Sequence, residues 1–145
     1  MLEVQARSFT KKYGKIVFEL ETPIKIANPA QRNFFRLVGV WDTGATNSVI
    51  TKSAAKKCGL IPVGMENVSG VTGSLLVPAY FVTIELPNDI EMNLRVIEGE
   101  DCIGCDILVG MDVISKGDFF VTNNNNNTVF TFRVPSVGFT DTMRQ

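Results

Sequence analysis

The chain contains no histidine. That absence removes Ser-His and Cys-His nucleophilic systems and most zinc enzymes, because each needs an imidazole as base or ligand. Acid–base chemistry near neutral pH is then left to perturbed carboxylates, lysine, tyrosine or cysteine. Cysteine is scarce as well. Cys58, Cys102 and Cys105 are an odd number and do not make a disulfide framework of the secreted kind. Cys102-Ile103-Gly104-Cys105 has ligand-like or redox-like spacing, but a closed zinc site needs two further soft or nitrogen ligands, and only Cys58 and carboxylates remain. Reduced, partly buried thiols are expected, with no metal and no other cofactor. An excess of charge is also missing: 14 Lys plus Arg against 15 Asp plus Glu leave a net charge of -1. No global field recruits nucleic acid or an anionic membrane. No apolar run approaches membrane-spanning length, and residues 1–12 lack the apolar core of a signal peptide, so the expected location is cytoplasmic.

What is present points to strands. In 145 residues, 45% are hydrophobic and 12 are Gly, and the apolar residues fall in short alternating runs rather than long helical periods. One all-β or mainly β domain is the class these features imply. The most informative stretch is Phe34 to Ile50. An apolar, β-branched run ends in Trp41-Asp42-Thr43-Gly44-Ala45, which places one carboxylate at a tight turn after a buried strand, and Ser48-Val49-Ile50 then resumes an apolar strand. A charge there must be hydrogen-bonded or functional. A second such stretch, Ile107-Leu108-Val109-Gly110-Met111-Asp112, runs a strand into a glycine and then a short helical turn ending near Gly117.

The first stretch resembles the catalytic loop of the retroviral-type, or retropepsin-like, aspartic proteases: apolar residues followed by Asp-Thr/Ser-Gly-Ala/Ser. The second resembles that family's later motif, apolar-apolar-Gly followed by Arg or Met and then Asp or Asn. Both occur in order, with a glycine-bearing segment, Val68-Ser69-Gly70-Val71-Thr72-Gly73-Ser74, between them. The resemblance covers residues 34–135. Residues 1–33 read as an N-terminal strand extension of the same domain, and 136–145 as a surface tail or an arm exchanged in a dimer. It implies a closed β-barrel or sandwich with one or two short helices and a flap, the hairpin that closes over a bound peptide.

The resemblance also implies chemistry. Hydrolysis by carboxylates alone needs two of them at one water, sharing a proton so that one is base and the other acid. This chain has one Asp-Thr-Gly, so the family's arrangement would require a homodimer with Asp42 and its mate at the two-fold axis. Thr43 would bond across that axis, and Gly44 would present its carbonyl to a peptide substrate. Ala45 lacks the hydroxyl of pepsin-like enzymes, implying a milder pH optimum. Gly70, Val71, Thr72 and Gly73 would cover the substrate, with Val109 and Gly110 beside the loop and Val40, Val71 and Val109 as apolar walls. The acidic and arginine residues that viral enzymes place after the Ala and after the second glycine are replaced here by Thr46, Asn47 and Met111, a pattern nearer to bacterial or cellular members. Two alternatives remain at this point: a catalytically silent dimeric peptide-binding module of the same fold, and a structural all-β assembly protein in which Asp42 is only a turn residue.

Local signals complete the expectation. The run 15–27 reads as one strand broken at Pro23 or as two short ones. Thr51 is a candidate N-cap for a helix over 52–58 ended by Gly59. Strands at 75–86 and 90–97 are joined by Pro87-Asn88-Asp89, and the acidic segment 98–106 reads as a solvated loop. A last hairpin turns through Asn123–Asn127, since asparagine tolerates left-handed geometry.

Overall fold

The computed structural model describes residues 5–139. In chain order the strands and helices are β1 (Arg7–Lys12), β2 (Glu21–Ala27), β3 (Phe35–Trp41), β4 (Val49–Thr51), α1 (Lys52–Lys57), β5 (Gly64–Gly70), β6 (Gly73–Leu86), β7 (Ile90–Gly99), β8 (Ile107–Val109), α2 (Met111–Ile114), β9 (Asp118–Thr122) and β10 (Val129–Val134). The larger sheet runs β2-β3-β8-β4-β7-β6-β5, and a further pairing of β2 with β6 closes the first six of these into a barrel. The β5/β6 hairpin projects from it. A separate three-stranded sheet, β1-β10-β9, packs alongside. The all-β expectation, the closed barrel and the two short helices are thus all present.

Strand alternation explains the packing. In β3, Leu37, Gly39 and Trp41 are buried while Arg36 and Val38 are exposed. In β2, Thr22, Ile24 and Ile26 face the same interior. The small sheet joins this core through aromatics: Trp41 lies 4.9 Å from Phe132 and 5.0 Å from Phe130 between ring centroids, and Phe9 meets Phe130 edge-on at 5.7 Å. The indole N–H of Trp41 donates to the Thr22 hydroxyl at 2.9 Å, satisfying its one polar atom. Trp41, the residue before Asp42, is therefore anchored on both sides.

Two local expectations need correction. β2 is not broken at Pro23; it runs straight through it, with Pro23 opposite Val38. The Val38 N–H points away from β2 to the Asp106 carboxylate at 2.8 Å, so the Pro23–Val38 pair lies at a position where the ladder uses neither amide. A missing N–H costs nothing there. Nor is the acidic segment simply solvated. Besides the bond to Val38, Asp101 accepts from the Ser53 amide and hydroxyl at 2.9 and 2.8 Å, holding the start of α1, and the Asp101 carboxyl is pushed below its usual range by these bonds.

Other local signals behave as their chemistry requires. Thr51 caps α1, its hydroxyl accepting from the Ala54 amide, and Cys58 and Gly59 end the helix. Asn125 and Asn126 take φ of 55° each in the turn between β9 and β10. The tail beyond residue 136 is seen only through Phe139, and its remainder lies outside the described residues. Among the described residues no helix is long and apolar enough to cross a membrane.

Candidate active site

Asp42 stands at the end of β3, where the chain leaves the barrel. Its backbone amide donates to the Val109 carbonyl at 2.9 Å, because β3 and β8 run parallel with Trp41 opposite Val109. The following turn folds back on the carboxylate. The Gly44 amide donates to Asp42 Oδ1 at 2.8 Å, and the Ala45 amide to the Asp42 carbonyl at 3.2 Å. Among the described residues nothing bonds Oδ2. Thr43 and Gly44 are exposed and Asp42 is half-buried, so the turn presents a carboxylate, a hydroxyl and a backbone edge outward.

The second motif supports this turn from beneath. The Met111 amide donates to the Ala45 carbonyl at 2.7 Å. Gly110 lies so close that a β-carbon there would sit 2.6 Å from the Ala45 carbonyl oxygen, a backbone atom that cannot swing away. Ser48 links the two segments: its hydroxyl donates to Asp112 Oδ1 at 2.6 Å and accepts from the Gly110 amide at 3.0 Å, while its amide donates to Asp112 Oδ2 at 2.8 Å. Asp112 also accepts from the Val113 amide at 2.9 Å, at the start of α2. Reading the sequence identified the glycine and the turn but not Ser48 and Asp112 as the clasp between them. The available signal was an acid two residues after the second motif's glycine, together with a hydroxyl at the start of β4.

The β5/β6 hairpin turns through Val71 and Thr72 between the paired Gly70 and Gly73. Val71 is fully exposed, and Leu75 and Leu76 are about two-thirds exposed. A groove of about 480 Å³ lies beside it, lined by Gly70, Thr72, Gly73, Leu76, Val49 and Glu98, among others. The Tyr80 hydroxyl donates to Glu98 at 2.7 Å, and burial followed by that bond pushes the phenol up to about 12. Of the residues singled out from sequence, Gly70, Thr72 and Gly73 meet in this groove, while Val71 stands exposed at the hairpin tip and does not line it. Asp42, Thr43, Gly44 and Ala45 form the separate exposed turn, and in the single chain Asp42 is not a wall of the groove. Val109 and Gly110 are buried beneath the turn, as its support rather than as open surface, and Val40 is half-buried on β3.

One carboxylate held this way can bind and polarise a water. It cannot serve as base and acid in the same step, since that needs a second group holding the proton.

The chain superimposes on a retropepsin-like aspartic protease from Rickettsia conorii with a TM-score of 0.56 at 14% identity, over 92% of this chain and 99% of that one. The chain has the retropepsin fold. The retroviral protease-like domain of Ddi1 from Leishmania major shares this fold with a TM-score of 0.53 at 20% identity, covering 79% of this chain and 95% of the other. The EIAV protease, bound to an inhibitor, matches with 0.51 at 20% identity, over 67% and 86%. No protein-family model and no curated protein sequence matches the chain. The retropepsin fold here is thus carried by structure, at sequence identities where individual contacts are read from this chain alone.

Proposed function

We propose that the protein is an aspartic endopeptidase that works as a homodimer, with Asp42 of each subunit forming one catalytic dyad. The observation that carries this reading is the Asp42 turn itself: a carboxylate on an exposed turn at the end of β3, with its backbone amide bonded to Val109 and its Oδ1 to Gly44. Two such carboxylates within hydrogen-bond reach of one water cannot both ionise, so the pair shares a proton. The ionised member takes a proton from the attacking water, and the protonated one supplies a proton to the substrate. Thr43 reaches the facing loop, and the Gly44 carbonyl and the Gly70–Gly73 tip bind the extended peptide backbone, the tip acting as a flap that excludes water. Val71 and the groove residues take apolar side chains flanking the cut. A cytoplasmic location accompanies this reading, as do a peptide or protein substrate and no nucleic-acid or membrane partner.

The test compares wild type with Asp42→Asn on a mixed peptide library, with molecular mass measured in parallel. Wild type should be dimeric and cleave, and the variant should stay dimeric and lose about 10²–10⁴-fold in rate. Equal cleavage by both proteins would overturn the assignment of Asp42. A dimer inactive in both forms would instead favour the catalytically silent peptide-binding module.

A further inference from the structure

The loop joining β7 to β8 contains a feature that the peptidase reading does not use. Cys102 and Cys105 pair as directly opposed residues of an antiparallel bridge, with Ile103 and Gly104 as the two-residue turn between them. Gly104 has φ of 75°, a left-handed position that a side chain would strain, so the turn is built for this tight reversal. The Cys102 thiol donates to the Cys105 carbonyl at 3.3 Å. Opposed antiparallel residues have their α-carbons about 4.5–5.5 Å apart, within the roughly 4.4–6.8 Å that a disulfide spans. Both thiols are free, and Cys102 and Ile103 are exposed at the loop tip while Cys105 is half-buried.

We propose that Cys102 and Cys105 are a reversible dithiol–disulfide site, oxidised by a small external disulfide of the glutathione class. The exposed Cys102 thiolate attacks one sulfur of glutathione disulfide, forming a mixed disulfide and releasing one glutathione thiolate. Cys105 then gives its proton to solvent and attacks the Cys102 sulfur, and the second glutathione leaves. Two protein thiols are oxidised to one disulfide, and one glutathione disulfide is reduced to two glutathiones.

The order of attack follows from the surroundings. Burial first, then the hydrogen bond and charge of Cys102, and then Asp106 and Glu19 push the Cys105 thiol up to about 12, which leaves the exposed Cys102 as the first nucleophile. In the mixed disulfide Cys102 no longer carries a proton or a charge, and its contribution to holding Cys105 up is gone. Cys58 takes no part: it is buried in the core and pushed up to about 11, chiefly by burial.

The disulfide would act where the loop is already tied down. Asp101 on one side holds the α1 start through Ser53, and Asp106 on the other holds Val38 through its carboxylate and Thr51 through its carbonyl. Glu98, Gly99 and Glu100, immediately before the pair, form one wall of the groove beside the hairpin. Closing Cys102 to Cys105 would stiffen that wall without refolding it. The proposal rests on the loop alone and stands whether or not the protein cleaves peptides.

The whole protein, equilibrated with reduced and oxidised glutathione at neutral pH and quenched in acid, should lose two hydrogens in intact mass as the buffer becomes oxidising. After unfolding, one of the three cysteines should remain open to alkylation and map to Cys58. Cys105→Ser should instead accumulate a stable glutathione adduct on Cys102. In the oxidised wild type, the Ser53 and Val38 amides should exchange several-fold more slowly. Three alkylatable thiols under excess glutathione disulfide would overturn the proposal, as would a stable adduct on wild type or a cross-linked dimer. The wild-type measurement does not depend on the Cys105→Ser variant folding.

Discussion

A carboxylate at position 42 matters only because a few neighbours hold it in one place. Ser48 carries more of that task than any residue the motifs name, since its hydroxyl serves Asp112 and Gly110 together. Ser48→Ala removes the hydroxyl's bond to Asp112 Oδ1, keeps the amide's bond to Oδ2, and leaves the buried Gly110 amide without its acceptor. We expect a loss of about 1–3 kcal/mol in denaturant unfolding, and a larger proportional loss of peptidase rate because the Asp42 turn is loosened. Gly110→Ala meets a harder obstacle, the backbone carbonyl of Ala45. Overpacking of this kind costs about 1–3 kcal/mol, and here it is expected to displace the turn, so stability and activity should fall together. A fully active Gly110→Ala protein would show that the turn tolerates displacement. At this scale Asp42, Gly44 and Gly110 were legible as motif residues. The Ser48–Asp112 clasp was not, because the two residues meet only when β8 is laid between β3 and β4.

Among the elements, the terminal strands show how local chemistry becomes a titratable fastening. Asp118 at the start of β9 accepts from the Ser136 hydroxyl and from the Val137 amide at 2.8 Å, and pairs with Arg133 at 2.9 Å. These bonds, with Ser136 first and Val137 next, hold its carboxyl down to about 2. The folded value lies below the roughly 3.9 of an unfolded aspartate, so its contribution to stability is complete above about pH 4 and is lost as pH falls through about 2. Thermal melts of wild type and Asp118→Asn should therefore differ at about pH 5 and converge toward about pH 2. A difference that persists undiminished in acid would mean that the contact works through shape rather than charge. Element signals were legible where they are local: the Thr51 cap, the Pro87-Asn88-Asp89 turn and the asparagine turn all depend on neighbours within a few residues. The continuity of β2 through Pro23 was not, because a proline's tolerance depends on which side of the ladder its missing N–H would face.

For the whole molecule, the barrel exposes one Asp-Thr-Gly turn, and the proposed chemistry needs two. Specific peptidase activity should therefore fall on dilution below the dimer dissociation constant and return on concentration. Mixing wild type with excess Asp42→Asn under exchange conditions should suppress activity beyond simple dilution, because mixed dimers hold only one native carboxylate. Concentration-independent activity with a monomeric mass would sink the shared-dyad mechanism while leaving the fold untouched.

The sequence by itself determined the chemistry this chain can draw on: no imidazole, one Asp-Thr-Gly turn after an apolar strand, a second strand-glycine motif and a glycine hairpin. Those are local properties, written in residue type and spacing. Only the tertiary structure decided that β2 and β6 meet to close the barrel, that Trp41 is wedged between two sheets, and that Ser48 and Asp112 clasp the Asp42 turn. It also set the backbones of Cys102 and Cys105 directly opposite each other across a turn. These are contacts between segments distant in the chain, or between side chains whose direction depends on the backbone fold. Their geometry is set by how the strands pack, which no short stretch of residues encodes alone.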